Sequence, residues 1–156
     1  MSIQKLQLAP NFILYDTGKN KISLYEQRGK NVLLLFFPLA FSGVCTKELC
    51  MMRDDLAIYN NSEAKVFGIS VDSVYVLKRF KEELQLNFDL LSDFNREASL
   101  AYDVLYDLFP TLEMKGVSMR AAFVIDKNGI IQYTEVCNSP GDLPHFDKVQ
   151  ATLKEL

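Results

Sequence analysis

Val32-Leu33-Leu34-Leu35-Phe36-Phe37 is an unbroken apolar run that stops at Pro38. A strand with one wetted face alternates polar and apolar residues, whereas a run with no polar member has two faces to bury. Such a strand belongs in the middle of a sheet, with helices on either side. Pro38 has no amide hydrogen to give to a neighbouring strand, so pairing ends there.

The flanking sequence supplies the rest of the sheet. Lys65-Val66-Phe67-Gly68-Ile69-Ser70-Val71 predicts a second buried strand, and Phe88-Asp89-Leu90-Leu91 a short one. Residues 121–125 and 130–134 are predicted strands joined by Asp126-Lys127-Asn128-Gly129, a strong hairpin turn. Near the start, residues 11–15 and 21–24 flank the turn-rich Asp16-Thr17-Gly18-Lys19-Asn20 and predict an N-terminal β-hairpin. Leu49, Met52, Leu56 and Tyr59 recur at helical spacing, which predicts one helix over 46–59, closed by Asn60-Asn61. Further helices are expected over 74–84, 96–104 and 146–156. Strand-helix-strand alternation followed by a hairpin and a helix gives an α/β sandwich around a mixed sheet. No repeat, low-complexity segment or linker interrupts the chain, so residues 1–156 are expected to form a single domain.

A formal charge of -3 and a pI near 5.2 offer no general attraction to nucleic acid or to an anionic membrane. Met1 to Pro10 carries one Lys and no long apolar stretch, which argues against a signal peptide. The run at 32–37 is far too short to span a bilayer. The expectation is a cytoplasmic protein with neither nucleic acid nor membrane as partner. Three cysteines in 156 residues are no disulfide scaffold. In a reducing compartment, a close pair such as Cys45 and Cys50 points to catalysis or metal binding instead. Zinc would want Cys-x-x-Cys pairs or clustered histidines, and His145 stands alone, so no metal is expected. A lone histidine in Leu143-Pro144-His145-Phe146 reads as a surface or capping residue and weakens any Cys-His hydrolase. The glycine motifs that cradle nucleotides are absent as well, and with them any expected organic cofactor.

What remains is the junction after the central strand, Pro38-Leu39-Ala40-Phe41-Ser42-Gly43-Val44-Cys45-Thr46-Lys47-Glu48-Leu49-Cys50. A buried strand stops, a short loop follows, and Cys45 opens a helix. Ligands in open α/β sheets bind beyond the carboxyl ends of the strands. Free amides and the helix dipole favour an anion there, so a thiolate is stabilised. Ser42, three residues ahead, offers a hydroxyl to an incoming oxygen or to the sulfur itself; its bland alternative is a helix cap.

Pro38-x-x-x-Ser42-x-x-Cys45 resembles the peroxiredoxin active-site motif, Pro-x-x-x-Thr/Ser-x-x-Cys, and the likeness runs from near Asn11 to Gln132. Phe36-Phe37-Pro38-Leu39-Ala40-Phe41 is similar to the AhpE-like branch of that family. Cys45-Thr46-Lys47-Glu48-Leu49-Cys50 resembles the Q-type branch, also called bacterioferritin-comigratory proteins. The resemblance implies a thioredoxin-like fold and a thiol-dependent peroxidase that needs no cofactor. It implies that Cys45 attacks the peroxide O–O bond, Ser42 orients the peroxide and Pro38 shields the sulfur. Met119-Arg120-Ala121-Ala122-Phe123-Val124-Ile125-Asp126 matches the family segment that carries the site arginine, which makes Arg120 the candidate. A guanidinium beside the sulfur would steady charge moving onto the leaving oxygen. In the family a glutamate at this place helps to position the arginine, so the resemblance implies that role for Glu48, a helical turn beyond Cys45.

Cys50 stands where Q-type members carry a resolving cysteine, whereas AhpE-like members commonly lack one. Residues five apart on an ideal helix have Cα atoms roughly 8–9 Å apart, and a disulfide needs about 4.4–6.8 Å. The first turn must therefore unwind before Cys45 and Cys50 can join. Resolution by Cys50, with a thioredoxin or glutaredoxin-like protein as reductant, is the expected scheme. A one-cysteine peroxidase resolved by an external thiol is the alternative within the same chemistry, and a peroxide-sensing redox relay is the alternative outside it. Cys137, in Val136-Cys137-Asn138-Ser139-Pro140-Gly141, has no sequence partner and reads as inert. The resemblance implies a monomer or a homodimer and leaves the choice open.

Overall fold

The structure, a computed structural model, describes residues 2–156. The strands are β1 (Ile13–Asp16), β2 (Lys21–Ser23), β3 (Asn31–Phe36), β4 (Ala64–Ser70), β5 (Asp89–Ser92), β6 (Ala121–Ile125) and β7 (Ile131–Val136). They form one seven-stranded sheet in the order β2-β1-β5-β4-β3-β6-β7. Between and after them come helices α1 (Gly43–Asp54), α2 (Leu56–Asn61), α3 (Val74–Leu84), α4 (Glu97–Ala101) and α5 (Phe146–Lys154). β3, β4 and β5 run parallel; β1, β2, β6 and β7 add antiparallel pairings at the flanks. This is the thioredoxin-like mixed sheet with an N-terminal hairpin.

The central strand is β3, and every one of its residues is buried. Its alternation divides the core in two. Leu33, Leu35 and Phe37 meet Leu49 and Met52 of α1, Tyr59 of α2, Leu77 and Phe80 of α3, and Val149 and Leu153 of α5. Val32, Leu34 and Phe36 point the other way, onto Phe12, Leu14, Ala98 and Tyr102. Gly68 on β4 is there because of crowding: a Cβ would lie 2.7 Å from Leu90 Cδ2 on β5. Both hairpin turns are tied by an aspartate at their start. Asp16 Oδ1 accepts from the amides of Gly18 and Asn20, and Asp126 Oδ1 from those of Asn128 and Ile130. Gly129 supplies the positive φ of the second turn, at 83°.

Three of the expected helices differ from the sequence reading. The helix expected over 46–59 is two, broken at Asp55 (φ −99°, ψ 8°). Asp54 and Asp55 lie side by side where α1 exposes its carbonyls, and negative charge there opposes the helix dipole. The helix expected over 96–104 shrinks to Glu97–Ala101. Arg96 takes a left-handed φ of 63° while donating to the carbonyls of Gly116 and Phe94, and Tyr102 turns into the core with its hydroxyl on Pro10 O. The last helix stops at Lys154 rather than Leu156. No helix among the described residues is long and apolar enough to cross a membrane.

Candidate active site

β3 delivers the chain to its carboxyl end, where Phe37 N still donates to Ile69 O of β4 and buried Pro38 ends the ladder. The loop that follows is tied down by Asp72 at the end of β4. Its Oδ2 accepts from the Ala40 amide at 2.7 Å and from Ser70 Oγ at 2.6 Å, and its carbonyl accepts from Ser92 Oγ at 2.6 Å. Phe41 sits in the loop with φ 68°, a strained value for an aromatic residue, and its exposed ring rests on Phe80 with centroids 5.0 Å apart. Ser42 then precedes α1.

Cys45 and Glu48 are one turn apart on α1 and so share a face. Both are buried, at 1% and 0% exposure. β6 runs antiparallel to β3 with Ala121 opposite Phe36, so Arg120, one residue earlier, lands beside the carboxyl end of β3 where α1 begins. Its guanidinium, 1% exposed, has three partners there. Nη1 donates to Glu48 Oε1 at 2.7 Å; Nη2 donates to Cys45 Sγ at 3.3 Å and to the Pro140 carbonyl at 2.9 Å. Arg120 Nε and Glu48 Oε2 are buried without a hydrogen-bond partner among the described residues.

Electrostatics separates the members of this cluster. Burial pushes the Glu48 carboxyl up to about 7 against the opposing pull of Arg120. Burial also works against the Arg120 charge, but Glu48 and Cys45 outweigh it and hold the guanidinium above its ordinary value. A fixed positive charge thus faces the sulfur, at the 3.3 Å of the Nη2 hydrogen bond. Ser42 Oγ donates to the Leu39 carbonyl at 2.8 Å and caps none of the helix amides. With its proton committed, the hydroxyl oxygen is left as an acceptor, the role a hydroperoxide O–H would need.

A family comparison decides the lineage: residues 6–134 match the model of the AhpC/TSA family. The chain belongs to that family. Relatives of this AhpC/TSA member include alkyl hydroperoxide reductase E of Mycobacterium bovis, 38% identical over 138 residues, which cover 86% of each chain. Chloroplastic peroxiredoxin Q of Oryza sativa subsp. japonica is 37% identical over 131 residues, 84% of this chain and 58% of that protein. Among solved structures, peroxidoxin BcpB from Mycobacterium tuberculosis superposes with a TM-score of 0.86 at 27% identity, over 99% of this chain and 98% of that one. The two branches named by the sequence motifs therefore both return as relatives. The chain is a peroxiredoxin-type oxidoreductase, a thiol peroxidase.

All six candidates from the sequence lie on this segment or beside it, but not in one cluster. Cys45, Glu48 and Arg120 touch, and Ser42 and Pro38 belong to the loop that leads in. Cys50 is half-buried farther along the same unbroken helix, a free thiol like the other cysteines. Cys137 is buried. Burial, helped by Glu135 and Glu48, pushes its thiol up to about 12. His145 is exposed at the start of α5 and pairs with Glu135 instead of capping with its side chain. Two participants went unread in the sequence. Asp72 had a detectable signal, an acid at the carboxyl end of a predicted parallel strand next to the central one. The Pro140 carbonyl had none, because every residue carries one.

Proposed function

We propose that this chain reduces hydrogen peroxide and organic hydroperoxides through Cys45, and the observation that carries the reading is the 3.3 Å hydrogen bond from Arg120 to a buried sulfur at a helix N-terminus. The Cys45 thiolate attacks the terminal peroxide oxygen, the O–O electron pair goes to the departing oxygen, and the alkoxide or hydroxide takes a proton from solvent to leave as alcohol or water. Cys45 becomes a sulfenic acid. Arg120 steadies the charge passing from sulfur to the leaving oxygen. Ser42 accepts from the peroxide O–H and orients it, Pro38 keeps water from the sulfur, and Glu48 fixes the guanidinium. The Cys50 thiol then condenses with the sulfenic acid, releasing water and forming a disulfide. A thioredoxin- or glutaredoxin-type dithiol in the cytoplasm takes the oxidation away.

A second reading makes Cys50 idle and leaves resolution to an external thiol. Its support is the helix itself: Glu48 and Leu49, both fully buried, lie between the two cysteines on α1. Joining Cys45 to Cys50 pulls both out of the core. The test is the intact mass of reduced protein quenched seconds after one equivalent of hydrogen peroxide. Loss of two hydrogens, absent in Cys45→Ser and in Cys50→Ser, supports the two-cysteine scheme. Gain of oxygen without that loss keeps the peroxidase and assigns resolution to an external thiol. An unchanged mass refutes Cys45 as the attacking residue.

A further inference from the structure

The Arg120 guanidinium is aimed by its neighbours. Nη2 carries two hydrogens; one goes to the Pro140 carbonyl at 2.9 Å and the other to Cys45 Sγ at 3.3 Å. Nη1 is held by Glu48 Oε1 at 2.7 Å. In a planar fork, fixing Nη1 and the outer hydrogen of Nη2 fixes the direction of the inner one. Arg120 Nε has no hydrogen-bond partner among the described residues to do that work, so without Pro140 the plane can pivot about the Glu48 bond. The orientation of the hydrogen that meets the sulfur therefore depends on where the 137–145 loop puts one carbonyl.

That loop has little to hold its own shape. Asn138, Ser139, Gly141 and Asp142 are exposed, and the bond from Asp142 N to Ser139 O at 3.1 Å is a single internal turn. Its outgoing end is pinned where Cys137 N donates to Arg120 O at 2.8 Å. Buried Pro144 lies near the return end, and there a side chain from β7 does the pinning. Glu135 Oε1 accepts from the His145 amide at 2.8 Å and from Tyr133 Oη at 2.7 Å, and Oε2 meets His145 Nδ1 at 2.6 Å. One carboxylate thus clips the start of α5 to the end of β7, across a separation of ten residues.

We propose that Glu135 is a positioning residue for the peroxidase: by closing the loop onto β7 it sets the Pro140 carbonyl, and through it the Arg120 hydrogen that meets Cys45. This rests on the reading of Cys45 as the attacking thiol. The hydrogen bonds of Glu135 go to Tyr133 and His145 and not to the sulfur, and its effect passes through two backbone positions.

The experiment is the second-order rate of Cys45 oxidation by hydrogen peroxide, followed by stopped flow in the full chain. Glu135→Ala and Glu135→Gln are each measured with Arg120 present and with Arg120→Lys. Glu135→Ala is expected to slow the reaction about tenfold, the scale of one loosened hydrogen bond to a charged group. Glu135→Gln keeps an oxygen for the His145 amide and the Tyr133 hydroxyl, and is expected to restore the rate to within about threefold of wild type. In the Arg120→Lys background the Ala substitution is expected to change the rate by less than about twofold, because lysine has no second fork hydrogen to aim. A purely structural role would slow both backgrounds alike and would show in thermal stability first. If Glu135→Ala does not fold, His145→Ala, which removes one arm of the clip, carries the same test with an expected loss of about threefold. An unchanged rate in these variants, or equal loss in both backgrounds, overturns the proposal and leaves the peroxidase reading standing. A wild-type protein that does not react with peroxide overturns both.

Discussion

Replacing Glu48 by Gln removes a charge from the most buried ionisable site of the cluster while leaving an oxygen for Arg120 Nη1. Burial lifts the Glu48 carboxyl from 4.5 to about 7 in the folded protein, with Arg120 pulling the other way. A folded value above the unfolded one means that the protonated form is favoured on folding. Its contribution is complete below about pH 4.5 and is lost as the pH rises through about 7. Each pH unit across that span is worth about 1.4 kcal/mol, so wild type loses about 3 kcal/mol relative to the neutral amide variant. The assay is urea unfolding of the reduced proteins at a series of pH values from 4 to 8.5, read as the difference between wild type and Glu48→Gln. Other carboxylates, such as Asp89, which its lysine neighbours hold low despite partial burial, titrate in both proteins and cancel. Near pH 4 the two should be nearly equal; above pH 7 the variant should be the more stable. A flat difference, or a wild type that gains on the variant as the pH rises, would mean that the Arg120 pair outweighs burial, and the reasoning would be wrong.

Two further outcomes bear on the site. Arg120→Lys keeps a positive charge but replaces the planar fork, whose two nitrogens serve Glu48, Cys45 and Pro140, with one compact ammonium on a shorter reach. The rate of reaction with peroxide should fall by about 10²–10³, with thermal unfolding still cooperative; a loss below threefold would remove Arg120 from the mechanism. Asp72→Ala frees the Ala40 amide and the Ser70 hydroxyl, so the loop bearing Pro38 and Ser42 should loosen. That should lower stability by about 1–3 kcal/mol and slow peroxide reduction about tenfold, whereas an unaltered rate would show that the loop is held by its other contacts.

Much of the fold was legible because it rests on local periodicity. Residues 32–37 have no polar member to turn outward, so their place at the sheet centre follows from composition alone. The turns at Asp16–Asn20 and Asp126–Gly129 carry their own aspartate hydrogen bonds. Breaks that leave the apolar spacing intact, or that depend on distant partners, were not legible. The apolar spacing from Leu49 to Tyr59 continues smoothly across Asp55, and Arg96 leaves the helical region to serve the carbonyls of Phe94 and Gly116.

The site divides the same way. Pro38, Ser42, Cys45 and Glu48 lie within one strand-loop-helix segment, so their order along the chain already sets their order in space, and sequence was enough to name them together. The roles of Pro38 and Glu48 came from family likeness, and so did the choice of the distant Arg120. Its contact with Cys45, across 75 residues, exists because β6 pairs antiparallel with β3 in one register. The third acceptor on that guanidinium is a main-chain carbonyl, and the carboxylate that stations it lies on another strand. Side-chain chemistry is written residue by residue, but which backbone atom meets which charge is decided when the sheet pairs and the loops close.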